Sequence, residues 1–368
     1  MRNPLKGILL KRLDWYIVRK FLGTYFFSIL LIVAISVVFD FNEHIDKLKE
    51  ATTHEVIFQY YLNFIPYFAN LFSPLFVFVA VIFFTSKLAE NSEIIAMFST
   101  GMSFKRMLRP YIFSASIIAA LTFCLGAYII PRGSVTRIAF ENRYIKKKQA
   151  TNARNIQLEV EDGVIIYIER FETYNQTAYR VALDRFDGKK LVSHMTARTM
   201  EFDTLSIDQN HWKARNYMIR DLSGNQEVIE QGDAIDTLIS LCPADFLIER
   251  GQQETMTQPE LKEYIERQKM RGVGNIQEFE IEYHKRIAMT FASFILTIMG
   301  ASLASRKRKG GMGLHLGIGL GLSFTYIMFQ TLASSFAVSG AMSAAWAEWM
   351  PNILFIFIAI YLYYKAPK

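Results

Sequence analysis

Long runs without a charged residue alternate with basic connections, and their spacing sets the architecture. Residues Phe21–Phe39, Val56–Ser86 and Pro110–Ile130 contain no Asp, Glu, Lys or Arg, and neither do Ile287–Ser305, Gly310–Ala347 and Trp349–Tyr364. A helix crossing the hydrocarbon core of a bilayer needs about 20 apolar residues, with about 17–25 tolerated. Only helices and closed barrels satisfy their backbone hydrogen bonds there. Gly310–Ala347 is long enough for one span plus an external loop. The last stretch is short, but Trp346 and Trp349 can sit at the interface and extend it. The pattern predicts six transmembrane helices, three on each side of a polar insert.

Within the insert the period changes. Ile156–Val160, Val164–Ile168, Tyr179–Leu183, Arg198–Phe202 and Trp212–Ile219 alternate or carry branched residues. Turn signals separate them: Asp162-Gly163, Asp187-Gly188, Asp208-Gln209-Asn210 and Ser223-Gly224-Asn225. Many short strands without helices predict an all-β domain: a sandwich, a jellyroll or an open barrel. Thr257 with Glu260 reads as a capping box opening a helix over Pro259–Arg271, stopped near Gly272 and Gly274. A further helix from about Ile276 runs on into span four. The expected division is 1–131 for the first three spans, with a short helix at about 88–102, then 132–256 for the β domain and 257–368 for the connecting helix and last three spans.

Charge orients this layout. A formal charge of +7 raises nucleic acid as a partner, but the basic residues flank the apolar stretches, where a topology signal explains them better. Arg2, Lys6, Lys11, Arg12, Arg19 and Lys20 precede span one; Lys87, Lys105, Arg106 and Arg109 join spans two and three. Arg306-Lys307-Arg308-Lys309 joins spans four and five, and Lys365 and Lys368 follow span six. The loop after span one is acidic on balance, and the loop after span five has no basic residue. Lys and Arg stay cytoplasmic, so both termini are expected inside and residues of about 132–282 outside. The first span resembles a secretory signal, but its 19 apolar residues exceed the usual core of about 7–15, which predicts an uncleaved anchor. Cys124 and Cys242 fall in different segments, and a bridge between them is not expected.

Several positions inside or beside the spans invite a role. Gln59, Asn63, Asn70, Pro66 and Pro74 in span two fit either a kinked helix satisfied by its neighbours or a substrate-lining one. Gly313, Gly317 and Gly321 recur every fourth residue, so they share one helix face that another backbone can approach. Packing within the chain, a partner helix and a seam that opens all fit that face. His315 near the basic end of span five reads as structural. Between spans two and three, Glu90–Ser99 forms a short helix with Gly101 as its cap glycine, and Ser103 opens the next helix. Its Ile94, Ile95, Met97 and Phe98 either pack on the spans or offer a knob to a cytoplasmic partner.

Catalytic signatures are missing. The chain has no GxxxxGK[ST] phosphate loop, no HExxH, no paired-cysteine metal spacing and no GxSxG turn, and its histidines are scattered. No catalytic residue, cofactor or metal is expected.

Four local stretches nevertheless carry a resemblance to a known family. They are Leu13-Asp14-Trp15-Tyr16-Ile17-Val18-Arg19-Lys20-Phe21 with Asp46-Lys47-Leu48 beyond it, and Asn91-Ser92-Glu93-Ile94-Ile95-Ala96-Met97 with Gly101-Met102-Ser103. Tyr167-Ile168-Glu169-Arg170-Phe171 and Tyr283-His284-Lys285-Arg286 complete the set. In this order and on this layout, the chain resembles the LptF/LptG permeases of the lipopolysaccharide exporter. The resemblance implies an inner-membrane protein with a periplasmic β-jellyroll. It implies an LptB-like ATPase dimer, a second LptF/LptG-type permease, an LptC-like bitopic protein, and lipopolysaccharide as cargo. The short helix becomes an ATPase-coupling element built on Ser92, Glu93, Ile94, Met97 and Gly101. Spans one and five become a lateral gate, with Gly313, Gly317 and Gly321 on its face. Asp46, Lys47, Lys49, Arg132, Arg137 and Arg143 become candidates around the lipid phosphates, where Lys and Arg bind through charge-assisted bonds. Simple interfacial anchoring explains the same cations. Glu43 stands where some members carry lysine, and Thr290 where a proline is often found. A permease for another lipid or lipoprotein, and a structural or signalling membrane protein, are the rival readings.

Overall fold

A computed structural model describes residues 11–146, 153–203, 211–224, 226–243, 251–270, 276–306 and 311–367. The chain divides into two compact units: one of residues 1–145, 254–258 and 277–368, the other of residues 146–253 and 259–276. The expected turn at 208–210, the helix stop at Gly272 and Gly274, and most of the basic run 306–309 lie outside the described residues.

The first unit is helical and contains, among the described residues, six helices long and apolar enough to cross a membrane. These are α1 (Arg12–Leu48), α2 (Glu55–Glu90), α4 (Phe104–Ile145), α6 (Gln277–Ala304), α7 (Gly311–Val338) and α8 (Ala344–Lys365). A short α3 (Glu93–Ser99) lies between α2 and α4. Among the described residues, each apolar stretch falls almost wholly within one of these helices, and the last residues of Gly310–Ala347 lead into the next. The helices reach beyond them, and α4 departs most from expectation. Instead of ending near Ile130, it passes through a π-helical turn at Leu125–Ile129, resumes over Ile130–Phe140 and ends in a second π turn at Glu141–Ile145. The reason is local: Ser134, Arg137, Ile138, Phe140, Glu141 and Ile145 form one buried stripe at helical spacing. Its two charges face each other at i, i+4. Arg132, Arg137 and Arg143 therefore belong to this helix and not to the β domain, and the boundary expected at 131 moves to 145.

Lipid tails are as apolar as leucine, so close packing and hydrogen bonds, more than hydrophobic transfer, hold spans together. Phe21 of α1 stacks on Phe84 of α2 at 5.5 Å, and Phe84 on Tyr111 of α4 at 5.1 Å. The hydroxyls of Tyr25, Ser73 and Thr122 chain across the same three helices at 2.7 and 3.2 Å. In the second triplet, Tyr326 of α7 donates to Asn352 of α8 at 2.9 Å, and Asn352 donates to the Ala288 carbonyl of α6 at 2.8 Å. The polar residues of α2 serve packing as well: a Cβ on Gly133 would come within 2.5 Å of Asn63 Oδ1, and one on Gly126 within 3.2 Å of Asn70 Nδ2. Burial is uneven. The most apolar parts of α1 and α7 bury only 17% and 22% of their residues, whereas α6 buries 67%.

The second unit is built on a six-stranded antiparallel sheet: β1 (Ala153–Glu161), β2 (Val164–Glu172), β3 (Thr177–Asp187), β4 (Lys190–Phe202), β5 (His211–Asp221) and β6 (Val228–Leu238). Each strand pairs with its neighbours in sequence, so the order is β1-β2-β3-β4-β5-β6, an open meander and not a closed barrel. The chain crossover of a Greek key, from which a jellyroll is made, is not found among the described strands. Gly163 turns β1 into β2 with φ +75°, a value that L side chains rarely adopt. Register aligns Leu158, Ile166, Leu183, Met195 and Ile219 in one apolar row across five strands, ending opposite Glu230 on β6. Trp212 anchors this face, its indole donating to the Leu241 carbonyl at 2.8 Å. The strands are longer than expected, and β6 was not foreseen. Its sequence, Val228-Ile229-Glu230-Gln231-Gly232-Asp233-Ala234-Ile235-Asp236-Thr237-Leu238, mixes in residues depleted from strands, and it sits at an exposed edge. The connecting helix α5 (Gln258–Met270) follows, close to where its capping box predicts.

Candidate functional site

Two backbone kinks frame α3. Ser92, the residue before it, takes a left-handed conformation with φ 63°, and Gly101 after its C-cap has φ +82°, the usual geometry of a glycine stop. Ser103 then caps α4 by accepting from the Arg106 amide at 3.4 Å. Ile94 and Met97 are buried, and Ile94 joins the core shared by α1, α2 and α4. Ile95 is 54% exposed. Glu93 accepts from the Tyr16 hydroxyl at 3.2 Å and from Asn91 at 3.3 Å. The helix thus grips the spans through Ile94, Met97 and the half-buried Glu93, and leaves Ile95 exposed. Beside it, Arg106 forms a two-pronged pair with Asp14 at 2.8 and 2.6 Å, tying the first turn of α4 to that of α1. Asp14 is 3% exposed, so the pair is nearly sealed on its acidic side. The charge pattern gave no sign of this pairing across 92 positions.

The glycines of α7 divide by face. A Cβ on Gly313, Gly317 or Gly321 would meet nothing within 4 Å, so among the described residues no helix of this chain packs on that face. The close approach occurs at Gly319, where a Cβ would lie 2.3 Å from Ile82 Cδ1 of α2. His315 is buried on the packed side, with Nδ1 3.2 Å from the Ser86 hydroxyl. Gly319→Leu is expected to cost about 1–3 kcal/mol of stability through overpacking, while Gly317→Leu leaves the isolated chain unchanged. Thermal unfolding of the two variants in one detergent checks this contrast.

At the opposite end from α3, the helix termini gather charge. Leu48, Tyr60, Phe64, Phe140 and Ile145 pack together where α1 ends, α2 begins and α4 ends. Lys47 and Lys49 lie exposed on the α1 side, Lys49 paired with Asp46 at 3.1 Å. Arg143 lies on the α4 side, 3.9 Å from Glu55. Arg132 is exposed too, but about 16 Å back along the helix. Arg137 does not join this open group. Its guanidinium binds Glu141 at 2.8 Å and Glu254 at 2.6 Å and lies 4.3 Å over the Tyr67 ring. Only 8% of its side chain is exposed, so it is spent on the fold and not offered to an outside phosphate. Burial, helped by the like charge of Glu282, holds the Glu254 carboxyl above the usual carboxylate range despite Arg137. Nearby, Arg286 binds Glu282 at 2.9 Å and the Met256 carbonyl at 2.8 Å. Glu348, fully buried, accepts from Ser334 at 2.6 Å and Gln330 at 3.1 Å.

Residues 15–365 match the family model described as lipopolysaccharide export system permease LptF/LptG. The chain belongs to the LptF/LptG family. No curated protein matches it. The permease is therefore a multi-pass inner-membrane protein of lipopolysaccharide transport, a non-catalytic subunit by family. Of the residues singled out in its sequence, the structure gathers Ser92, Glu93, Ile94, Met97 and Gly101 into one short element. It also sets Asp46, Lys47, Lys49 and Arg143 around one packed patch. Reading the sequence left three parts without a role: the Asp14–Arg106 clamp, the Glu254 contact, and Glu348. The charged pair Lys285-Arg286 was legible as a motif; Arg286 is buried against Glu282 and the Met256 carbonyl, and Lys285 is half-buried.

Proposed function

We propose that the permease extracts lipopolysaccharide from the inner membrane and hands it to a β-structured bridge toward the outer membrane, driven by a separate ATP-binding subunit. One observation carries the reading: α3 is rooted by Ile94 in the core of spans one to three, with Met97 buried beside it, Glu93 half-buried against Tyr16 of α1 and Ile95 exposed. A push on its outer face reaches α1, α2 and α4 together. An LptB-like dimer would supply that push, receiving α3 in a groove with a cation for Glu93. The charge pattern supports cytoplasmic termini and a periplasmic β unit.

The bare faces of α1 and α7 suit a lateral gate completed by a second LptF/LptG-type permease, with Gly313, Gly317 and Gly321 allowing a helix to come close. Lys47, Lys49 and Arg143, with Asp46 beside them and Arg132 deeper, would hold the lipid phosphates, and Arg137 would position their helix. In the β unit, Ile156, Val160, Leu183 and Ile219 are only partly buried, leaving an apolar face for acyl chains. The jellyroll-like continuation would be completed by an LptC-like partner at a sheet edge, where unpaired backbone accepts another strand.

Purification of the tagged chain, with photocrosslinkers at Lys47 and Gly317, tests the proposal. An ATP-binding subunit is expected to copurify, Lys47 to capture lipopolysaccharide, and Gly317 to capture lipopolysaccharide or a second permease. Absence of the ATP-binding subunit together with no lipopolysaccharide at either position would sink the reading.

A further inference from the structure

A cavity of about 680 Å³ opens along the seam of α4, α6 and α8, away from α1, α7 and α3. Its two ends differ in chemistry. Lys105 and Arg109, one turn apart on α4, line it at the α3 end together with Tyr363 near the end of α8. Ile112 and Phe113 of α4, Ile298 of α6 and Ile360 of α8 form walls farther along. Ser116, the deepest α4 residue of the lining, turns its hydroxyl back onto the Ile112 carbonyl at 2.9 Å, so it offers little to a polar ligand. From Lys105 to Ser116 the helix rises about 16 Å, close to the roughly 15 Å of one leaflet's hydrocarbon. Phe113 and Ile360, 42% and 47% exposed, leave the seam open sideways to whatever surrounds the spans.

The two cations are the telling part. Three basic residues crowd the start of α4, and the structure uses only the middle one: Arg106 is bound to Asp14. Among the described residues neither Lys105 nor Arg109 has a carboxylate partner, although like charges at i, i+4 on one face repel. Both side chains are exposed, and they stand at the mouth of an apolar slot of leaflet depth, an arrangement that an anion with a hydrocarbon tail fills at both ends.

We propose that this seam is a binding site for one anionic glycerophospholipid, its phosphate between Lys105 and Arg109 and an acyl chain along the isoleucine-lined wall. Tyr363 adds a hydroxyl at headgroup level. Net negative charge matters, because the ammonium of a zwitterionic headgroup would sit against two cations. The slot takes a chain or two and not a many-chained lipid, which separates it from the cargo path. The proposal stands apart from the transport reading, since no side chain of α1, α3 or α7 lines the cavity.

The test uses the purified permease in its complex, reconstituted into vesicles of phosphatidylethanolamine and phosphatidylglycerol and re-extracted in mild detergent. Native mass spectrometry then counts retained lipid, and thermal unfolding is followed with and without added phosphatidylglycerol. The wild type is expected to retain phosphatidylglycerol in preference to phosphatidylethanolamine and to melt higher when it is added. Retention is expected to fall about fivefold per charge removed in the Lys105→Ala/Arg109→Ala variant. Arg109→Lys should keep it, and Ile298→Trp should lose it with the charges intact. Equal retention of both lipids by the wild type, or unchanged retention in the double-alanine variant, overturns the proposal. So does displacement of phosphatidylglycerol by lipopolysaccharide at equal concentration, which would assign the seam to the cargo.

Discussion

Arg137→Ala is expected to destabilise the helical unit more than any other single substitution considered, by about 3–5 kcal/mol. The guanidinium neutralises two carboxylates at once, Glu141 on its own helix and Glu254 beyond the β unit in sequence, and its Nη atoms donate to both. Removing it leaves Glu141 and Glu254 facing each other with little water, and Glu282 close enough to raise Glu254 further. Arg137→Lys should recover only part of the loss, because one ammonium cannot span two carboxylates and lie flat over Tyr67. Glu254→Gln should be far milder, since it leaves the Arg137–Glu141 pair intact. The sign of its pH dependence follows from the raised carboxyl. In the folded protein Glu254 keeps its proton to higher pH than in the unfolded chain, which favours the fold below the unfolded value, and that favour is lost as pH rises through the folded one. Charged Glu254 therefore counts against the fold, and the melting temperature of Glu254→Gln relative to the wild type should rise from acid toward neutral pH. Thermal melts of the three variants across that range check each statement.

Glu93→Lys carries the second large effect, and it falls on coupling and not on folding. Glu93 makes no buried contact, and its partners Tyr16 and Asn91 are polar groups at the surface. Stability should change by no more than about 0.5 kcal/mol, as for most surface substitutions. Placing like charges in an interface costs several kcal/mol, so affinity for the ATP-binding subunit should fall at least about thirtyfold, a loss of about 2 kcal/mol. Ile94→Ala and Met97→Ala should behave in the opposite way, keeping the outer face but loosening the root of α3, so that the subunit still binds while transport slows. Copurification ratio, ATPase stimulation and lipopolysaccharide delivery, measured on the same preparations, separate these two kinds of defect. A Glu93→Lys variant that binds and transports normally would remove α3 from the coupling path.

What could be read from the sequence followed the strength of the physical signal. A run of some twenty uncharged residues has few fates, so all six spans were legible, as were the caps at Gly101 and Ser103 and the start of α5. The sheet was harder. Its apolar row, Leu158 to Ile219, draws one residue from each of five strands, a register that no single strand reveals, and β6 carries Glu230, Gly232, Asp233 and Asp236 at an edge where water tolerates them. The extension of α4 to Ile145 hid because charge looks like an exit from the membrane when the opposing charge, Glu254, lies 117 positions away. The glycine face of α7 was visible, but not which glycines touch the chain: Gly319, outside the four-residue repeat, makes the close approach. Arg137 looked like its neighbours Arg132 and Arg143, and only its packing distinguishes it.

The attachment of α1 has a mechanical meaning. Its first turn is bolted by Asp14 to Arg106, and near its far end Asp40 accepts from Tyr60 at 2.9 Å and Tyr61 at 3.2 Å. Between these anchors Phe26, Phe27, Leu30, Leu31, Val38 and Phe39 stand largely exposed, and Gly23 touches nothing across its Cα. A rod fixed at both ends and pinned by Phe21 and Tyr25, but with Val33 as its one buried residue from there to Asp40, cannot swing; it can only bow over that bare half. If the seam beside α1 widens during a transport cycle, the displacement of this helix will be greatest between Tyr25 and Asp40 and will vanish toward both.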